Sequence, residues 1–356
     1  MNREELKKYI TNTNMGIVDA MKLIDINASG ILFIVDDDYK LVGSLTDGDI
    51  RRWIIRTGDL SVSASKVMHT DVHYLFENEM DSSQIRMNQY RITAMPLVDE
   101  EKHILDIVFE GSDNETYLSS NKMIDDIPVI VMAGGRGTRL YPYTKILPKP
   151  LIPIGDIPIL ERILSRFNEC GANEFFITVN YRKEMIKSYF NELNPPYRIN
   201  YIEEDKPLGT AGSIRLIKKK FNTPVLITNC DILIEANYAD IIEYHNKSGN
   251  QLTIVSSVKN MTIPYGVIHS KEDGLVSSMD EKPQLSFLIN TGMYVISPEY
   301  IERIPEDTFY HMTNLADALI AEGAKVGMYP ISENSFLDMG QFEEMKKMED
   351  KISKNI

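Results

Sequence analysis

The sequence predicts an α/β protein in two parts: a small α+β module made of a repeated unit, then a larger domain on a mixed, mostly parallel sheet. Three observations carry this. A helix–strand–turn–strand–helix pattern occurs twice within roughly the first 115 residues. A polar stretch rich in turn formers follows from Gly111, with little periodicity. Then Ile127-Pro-Val-Ile-Val-Met-Ala opens a buried strand that runs straight into a glycine-rich loop. Length agrees, because 356 residues exceed the ~100–200 of a single domain. The expected layout is a repeated module over 1–115 (halves at about 1–58 and 59–115), a linker at 116–126 and a second domain over 127–356.

Composition narrows the function classes. The chain is 43% hydrophobic and 25% charged, which is ordinary for a globular protein and argues against disorder or a fibrous repeat. Net charge is −14, from 38 basic and 52 acidic residues. Residues 1–124 hold 13 basic and 21 acidic residues, a net of −8, so the shorter N-terminal part is the more densely acidic. That balance disfavours nucleic acid and membrane surfaces as partners, while a few local cations still suffice for a phosphorylated small molecule. No apolar run approaches the ~18–20 residues of a membrane span, and no signal-like segment opens the chain, so a cytoplasmic location is expected. Cys170 and Cys230 make no disulfide framework or metal spacing. The six histidines are scattered, and His69 and His73, though four apart, lack a third ligand and read as surface or core residues.

In the first copy of the repeat, Asp19–Ile26 has the spacing of an amphipathic helix. Ile31-Leu-Phe-Ile-Val is a strand, Asp36-Asp-Asp an acidic turn, and Leu41-Val-Gly-Ser-Leu a second strand leading into Thr46-Asp-Gly-Asp-Ile-Arg-Arg at a helix start. The second copy runs through the helical Ser82–Tyr90, the strand Ala94-Met-Pro-Leu-Val, a turn at Asp99-Glu-Glu and the strand Ile104-Leu-Asp-Ile-Val-Phe. This unit resembles the CBS domain, and its duplication a tandem CBS pair, most specifically in Leu41-Val-Gly-Ser-Leu-Thr-Asp-Gly-Asp-Ile-Arg-Arg. The resemblance implies that Thr46 and Asp49 contact the phosphate and ribose of a regulatory adenine nucleotide. A hydroxyl at a helix start can donate to phosphate, and a carboxylate can accept from ribose hydroxyls. The same two residues also satisfy the Thr-x-x-Asp capping box, a purely structural role. The second copy has Phe109-Glu-Gly-Ser at the equivalent place, so one nucleotide site per pair at most is expected. CBS pairs commonly dimerise, which implies a homo-oligomer.

After the strand Val129-Ile-Val-Met comes Ala133-Gly-Gly-Arg-Gly-Thr-Arg-Leu, then Pro142, Thr144 and Pro148-Lys-Pro-Leu. Glycines at 134, 135 and 137 let backbone N–H groups close on an anion. Arg139 supplies a planar guanidinium and Lys149 a point charge. The loop is neither a P-loop, lacking Gly-Lys-Ser/Thr at the right offset, nor the dinucleotide fingerprint, lacking its last glycine. A glycine loop alone is weak evidence and fits a tight structural turn equally.

Its continuation is specific. Gly-Gly-x-Gly-Thr-Arg-Leu-x-Pro-x-Thr…Pro-Lys-Pro-Leu resembles the signature of sugar-1-phosphate nucleotidylyltransferases, over residues 127 to about 350. Glu161, Pro207-Leu-Gly-Thr-Ala-Gly, Asn229-Cys-Asp231, Tyr265-Gly, Glu281-Lys-Pro, Asn290-Thr-Gly and Leu337-Asp-Met-Gly follow in the family's order. The resemblance implies a Rossmann-like nucleotidyltransferase domain in which a sugar-phosphate oxygen attacks the α-phosphorus of a nucleoside triphosphate and pyrophosphate leaves. Such chemistry needs positioning and charge neutralisation more than covalent help. It implies catalytic roles for Arg139, Lys149, Asp231 and Lys282, and Mg²⁺ held by Asp231 and Asp338, carboxylates suited to a hard cation. It implies nucleotide contacts at Ala133, Gly134, Gly135, Gly137, Thr138, Glu204, Gly209 and Thr210. Sugar-phosphate contacts fall to Gly266, Glu281, Lys282, Asn290, Thr291 and Asn180. Taken singly, an Asp at a strand end is often a turn former and Glu281–Lys282 a solvated pair.

Base choice turns on Glu204, three residues before Pro207, where relatives read the base edge. A carboxylate only accepts hydrogen bonds. Guanine offers N1–H and N2 amino donors, whereas uracil and thymine flank one N–H with two carbonyls, so GTP is expected. A CBS pair ahead of a transferase resembles guanylyltransferases of bacterial surface-glycan and legionaminic acid biosynthesis, which implies glucosamine 1-phosphate. Mannose or heptose 1-phosphate, and a UTP- or CTP-using enzyme, remain alternatives. A non-catalytic nucleotide-sensing protein is the rival of another class, and an NAD enzyme rests on the glycine loop alone.

Overall fold

A computed structural model describes residues 3–76, 79–80, 83–110 and 123–354. The chain forms two compact units. One contains Met1–Ser119, Val258–Ile289 and Ser332–Asn334, and the other Ser120–Ser257, Asn290–Ile331 and Ser335–Ile356.

In the first unit the duplication is visible as geometry. Strand β1 (Ile10–Asn12) is followed by helix α1 (Ile17–Asn27), strands β2 (Ile31–Val35) and β3 (Leu41–Thr46), and helix α2 (Asp47–Thr57). Strand β1 pairs with β2 in parallel, and β2 with β3 antiparallel. The second copy repeats this with β4 (Leu75–Phe76), α3 (Ser83–Tyr90), β5 (Ala94–Val98) and β6 (Ile104–Phe109), again parallel and then antiparallel. The two hairpins even share their irregularity, a register shift at Ile34/Val35 and at Leu97/Val98. Each acidic turn is built alike, because Asp36 accepts from the N–H groups of Asp38 and Lys40, and Asp99 from those of Glu101 and His103. Phe33 and Leu41 of one copy pack with Ala94, Val98 and Ile107 of the other in one core. The helix expected after β6, and most of the expected linker at 116–126, lie outside the described residues. This unit also holds the hairpin Gly266–Ser270 with Val276–Glu281, paired antiparallel with Gly266 opposite Glu281.

The second unit is built on a sheet whose first strand, β7 (Val129–Met132), is buried throughout, as its unbroken apolar run requires. Helix α4 (Ile159–Glu169) buries Ile159, Leu160, Ile163, Leu164 and Phe167, the one-face spacing of an amphipathic helix. Then come β8 (Glu174–Val179), α5 (Lys183–Leu193), β9 (Arg198–Glu203), β10 (Val225–Asn229), β11 (Ile232–Ile234), α6 (Tyr238–Ser248) and β12 (Leu252–Thr262). The chain closes with β13 (Gln284–Ile296), α7 (Met312–Ala321), β14 (Val326–Ile331), β15 (Phe336–Asp338) and α8 (Phe342–Lys354). Strand order in the main sheet is β9-β8-β7-β10-β13-β12-β14. The pairs β9/β8, β8/β7, β7/β10 and β12/β14 are parallel and β10/β13 antiparallel, so the sheet is mixed and mostly parallel. The chain runs from β7 outward to β8 and β9, then returns to place β10 on the other side of β7. That makes the carboxyl ends of β7 and β10 the point where the winding reverses, the place where open α/β sheets bind ligands. No helix among the described residues is long and apolar enough to cross a membrane.

Candidate active site

The glycine loop leaves the end of β7 and Asp231 follows the end of β10, so both borders of that reversal point carry the motifs singled out in the sequence. Between them lies a cleft of about 390 Å³. It is lined by Gly134, Gly135, Gly137, Thr138, Arg139, Lys149, Glu204, Gly209, Thr210 and Asp231, together with Thr178, Asn229, Phe309 and His311.

Glu204 is the unusual member, a carboxylate only 6% exposed. It accepts from the backbone N–H of Leu208 at 3.3 Å. Burial pushes its carboxyl above the usual range, partly offset by the hydrogen bond from Leu208 N–H. Gly134 leaves it room, because a Cβ at that position would sit 2.3 Å from Glu204 Oε1. The loop and the carboxylate therefore require each other's shape. Ala133 is nearly fully buried, and its N–H is committed to the Thr178 carbonyl at 3.1 Å.

At the other side of the cleft Lys149 and Asp231 form an ion pair with side chains only 12% and 13% exposed. Asp338 is brought beside Asp231 by the short antiparallel pair β11/β15, in which Ile232 faces Asp338. The N–H of Met339 donates to the Asp231 carbonyl at 2.8 Å, and that of Gly340 to Asp338 Oδ1 at 2.7 Å. Burial and the neighbouring Asp231 charge push Asp338 above the usual carboxylate range, partly offset by Gly340 N–H, Lys149 and Arg139. Two neighbouring carboxylates beside two cations form a hard-oxygen donor set. Among the described residues no cluster of three or more His, Cys, Asp or Glu exists, so the chain offers two such ligands here. That fits a cation completing its shell with phosphate and water oxygens. Cys230, beside Asp231, is buried and its thiol is pushed up to about 12, which leaves it unreactive.

The residues assigned to the sugar phosphate are not gathered in this cleft. Asn180 ties strands together through its amide, donating to the Glu204 carbonyl at 2.7 Å. Thr291 is buried and donates its hydroxyl to the Val255 carbonyl at 2.7 Å. Asn290 donates to the Tyr294 hydroxyl at 2.8 Å. Gly266, Glu281 and Lys282 belong to the exposed hairpin of the first unit, where Lys282 adopts a left-handed φ of 48°. The cleft residues that have no place among the sequence candidates include Thr178, Asn229, Phe309 and His311. Asn229 stood inside a quoted motif and Thr178 near the end of a buried strand. Phe309 and His311 carried no local signal, since they reach the cleft through contacts about a hundred residues away in sequence.

In the first unit, Thr46 caps α2 with the full box. Its hydroxyl donates to Asp49 Oδ2 at 2.6 Å, and its N–H to the same oxygen at 2.9 Å. Asp49 also pairs with Arg52 and with His69 Nε2 at 3.2 Å. Burial raises the Asp49 carboxyl, but hydrogen bonds from Thr46 and Arg52 outweigh it and hold it below the usual range. A second cavity of about 310 Å³ is lined by Gly30, Ser44, Thr46, His69, His73 and Arg91. Both histidines thus border a cavity, and His73 stacks on Tyr90 at 3.8 Å.

Residues 128–355 match the model of the nucleotidyl transferase family, and residues 8–56 that of the CBS domain. A mannose-1-phosphate guanyltransferase of Pichia angusta is 35% identical over 185 residues, 49% of this chain and 50% of its own. The Saccharomyces cerevisiae protein of the same name is 32% identical over 184 residues, 49% and 51% of the two chains. The chain thus spans about half the length of these relatives. The crystal structure of HddC from Yersinia pseudotuberculosis superposes with a TM-score of 0.51 at 27% identity, covering 64% of this chain and 99% of that one. A putative glucose-1-phosphate thymidylyltransferase from Bacillus anthracis shares the fold, with a TM-score of 0.51 at 18% identity over 65% of this chain and 96% of its own.

Proposed function

Because the chain belongs to the nucleotidyl transferase family, we propose that it transfers a guanylyl group from GTP to a sugar 1-phosphate, forming a GDP-sugar and pyrophosphate. The observation that carries the choice of nucleotide is Glu204, a buried carboxylate facing the glycine loop in the cleft at the reversal point of the sheet. As an acceptor it matches the N1–H and N2 donors of guanine and repels the carbonyls of uracil or thymine. The guanyltransferase relatives support the same base.

In this reading the chain's residues act mainly by charge and position. Arg139, exposed at the cleft, clamps the triphosphate and stabilises the departing pyrophosphate. Lys149 leaves Asp231 to sit between phosphates. The sugar-phosphate oxygen attacks the α-phosphorus in line as the bond to pyrophosphate breaks. Asp231 and Asp338 would hold Mg²⁺, which supplies further neutralisation of phosphate charge. The names of the relatives put mannose 1-phosphate beside glucosamine 1-phosphate as the sugar to try first. The test is pyrophosphate release with Mg²⁺ across four nucleoside triphosphates and a panel of sugar 1-phosphates. Turnover with GTP alone is expected. Turnover with UTP or CTP instead would keep the transferase and overturn the role of Glu204.

A second ligand reading rests on the cavity at Thr46. We infer that an adenine nucleotide binds there, with its phosphate at the start of α2 and beside Arg91. Calorimetric titration of the whole chain with AMP and ATP tests it, and a Thr46→Ala variant that binds as well as wild type would remove it.

A further inference from the structure

The glycines of Leu208-Gly-Thr-Ala-Gly do more than approach a ligand: they seat a distant segment. A Cβ on Gly209 would lie 2.5 Å from the Tyr310 carbonyl oxygen, and one on Gly212 would lie 2.4 Å from that of Thr308. Gly209 also has φ +78°, a region that side chains rarely adopt. The segment is then stitched down. Tyr310 N–H donates to the Leu208 carbonyl at 2.9 Å, and the N–H groups of Ala211 and Gly212 donate to the Tyr310 carbonyl at 2.9 and 3.1 Å. The result is that Phe309 and His311 stand on the wall of the nucleotide cleft.

The hydrogen bonding at His311 settles which ring nitrogen carries the proton in the neutral imidazole. The Thr210 backbone N–H points at Nδ1 from 3.3 Å, so Nδ1 is an acceptor. The Thr210 hydroxyl lies 3.3 Å from the same nitrogen and itself accepts from Met312 N–H at 3.0 Å. The proton therefore sits on Nε2. Among the described residues Nε2 has no hydrogen-bond partner, and the Phe309 ring packs edge-on at 4.8 Å, holding the imidazole in place. A side chain with a fixed tautomer thus lines the cleft whose buried acceptor is Glu204.

We propose that His311 is a base-recognition residue, donating Nε2–H to N7 of the guanine whose N1–H and N2 groups are taken by Glu204. Guanine presents acceptors only at O6 and N7 on the edge away from its amino group, so one acceptor and one donor in the cleft would divide the base between them. This rests on GTP being the nucleotide, and the experiment keeps the two apart. Steady-state kinetics are measured with GTP and with 7-deaza-GTP, which lacks the N7 acceptor, for wild type, His311→Asn and His311→Gln. Asn keeps an acceptor near the Nδ1 position for Thr210 but loses the Nε2 donor, whereas Gln places an amide donor near Nε2.

For wild type, KM should be about tenfold higher with 7-deaza-GTP than with GTP, the worth of one hydrogen bond. His311→Asn should raise KM for GTP by the same factor and show no further loss with 7-deaza-GTP. His311→Gln should recover most of the discrimination. The loss should fall in KM rather than kcat, as for a contact made equally in ground and transition states. Equal KM for the two nucleotides in wild type would overturn the N7 contact. So would a His311→Asn penalty that persists undiminished with 7-deaza-GTP, since the contact would then be elsewhere. Absence of GTP turnover by wild type, with another nucleotide active, would overturn the guanylyl reading itself.

Discussion

Glu204 is where a single side chain does most to select a substrate. Its burial puts a carboxylate in a place where water compensates a mismatch poorly. Glu204→Gln keeps an acceptor for Leu208 N–H while replacing half the carboxylate with a donor. The expected result is a loss of roughly 10–100-fold in the kcat/KM ratio of GTP over UTP, the range of one charge-assisted hydrogen bond. An unchanged ratio would show that the base is read elsewhere. Asp338 is the second residue with a sharp expectation. Burial and the Asp231 charge beside it disfavour the charged form of Asp338 until a cation arrives. Asp338→Asn should raise the Mg²⁺ concentration for half-maximal activity roughly tenfold, and chelation should abolish turnover in both proteins. Lys149 and Arg139 were legible in the sequence because their motif is local. His311 was not, because its partner Thr210 lies a hundred positions earlier and nothing at 309–311 advertises that contact.

Between residue and fold, the joint of α6, β12 and the end of β13 is pinned by a buried polar network. His245, 1% exposed, bonds Thr253 Oγ1 through Nδ1 at 2.9 Å and Ser297 Oγ through Nε2 at 3.1 Å, and Asn250 donates to the same Thr253 hydroxyl at 3.0 Å. Burial pushes His245 down to about 4, against the raising effect of Glu299. A depressed histidine is neutral when folded, whereas the unfolded chain takes up a proton below the ordinary value of 6.5. Its contribution to stability is therefore complete above that value and is lost as pH falls from about 6.5 to about 4. The loss amounts to roughly 3 kcal/mol across the window. Urea midpoints between those two pH values should fall more steeply for wild type than for His245→Asn, and parallel slopes would show that another group dominates. The capping box at Thr46 belongs to this scale too. The Thr-x-x-Asp pattern announced a helix start and a nucleotide contact with equal force. The structure shows the cap fully made, with Arg52 and His69 added to Asp49.

For the molecule as a whole, two compact units are expected to give two cooperative transitions. The chain has one tryptophan, Trp53 on α2, so its fluorescence reports the first unit alone. Denaturant unfolding followed by Trp53 fluorescence and by far-ultraviolet circular dichroism should give transitions that do not coincide. AMP at 100 times its Kd should shift the Trp53 transition by about 2.7 kcal/mol. A single transition by both probes, moved equally by any ligand, would show that the units unfold together.

Much of this protein was determined by its sequence alone. The repeat, the buried first strand, the glycine loop and the order of Asp231 and Asp338 are local patterns, and local patterns are set by backbone sterics and by which face of each element must be buried. The tertiary structure alone decided three things. It assigned Val258–Ile289 to the compact unit of the N-terminal repeat, because contacts rather than chain order make a core. It committed the buried Thr291 and the half-buried Asn180 to hydrogen bonds inside the fold, because a polar group taken from water must find a partner. And it laid the 308–311 segment across two glycines of a loop a hundred residues away, a contact paid for by shape and hydrogen bonds that no single stretch of sequence contains.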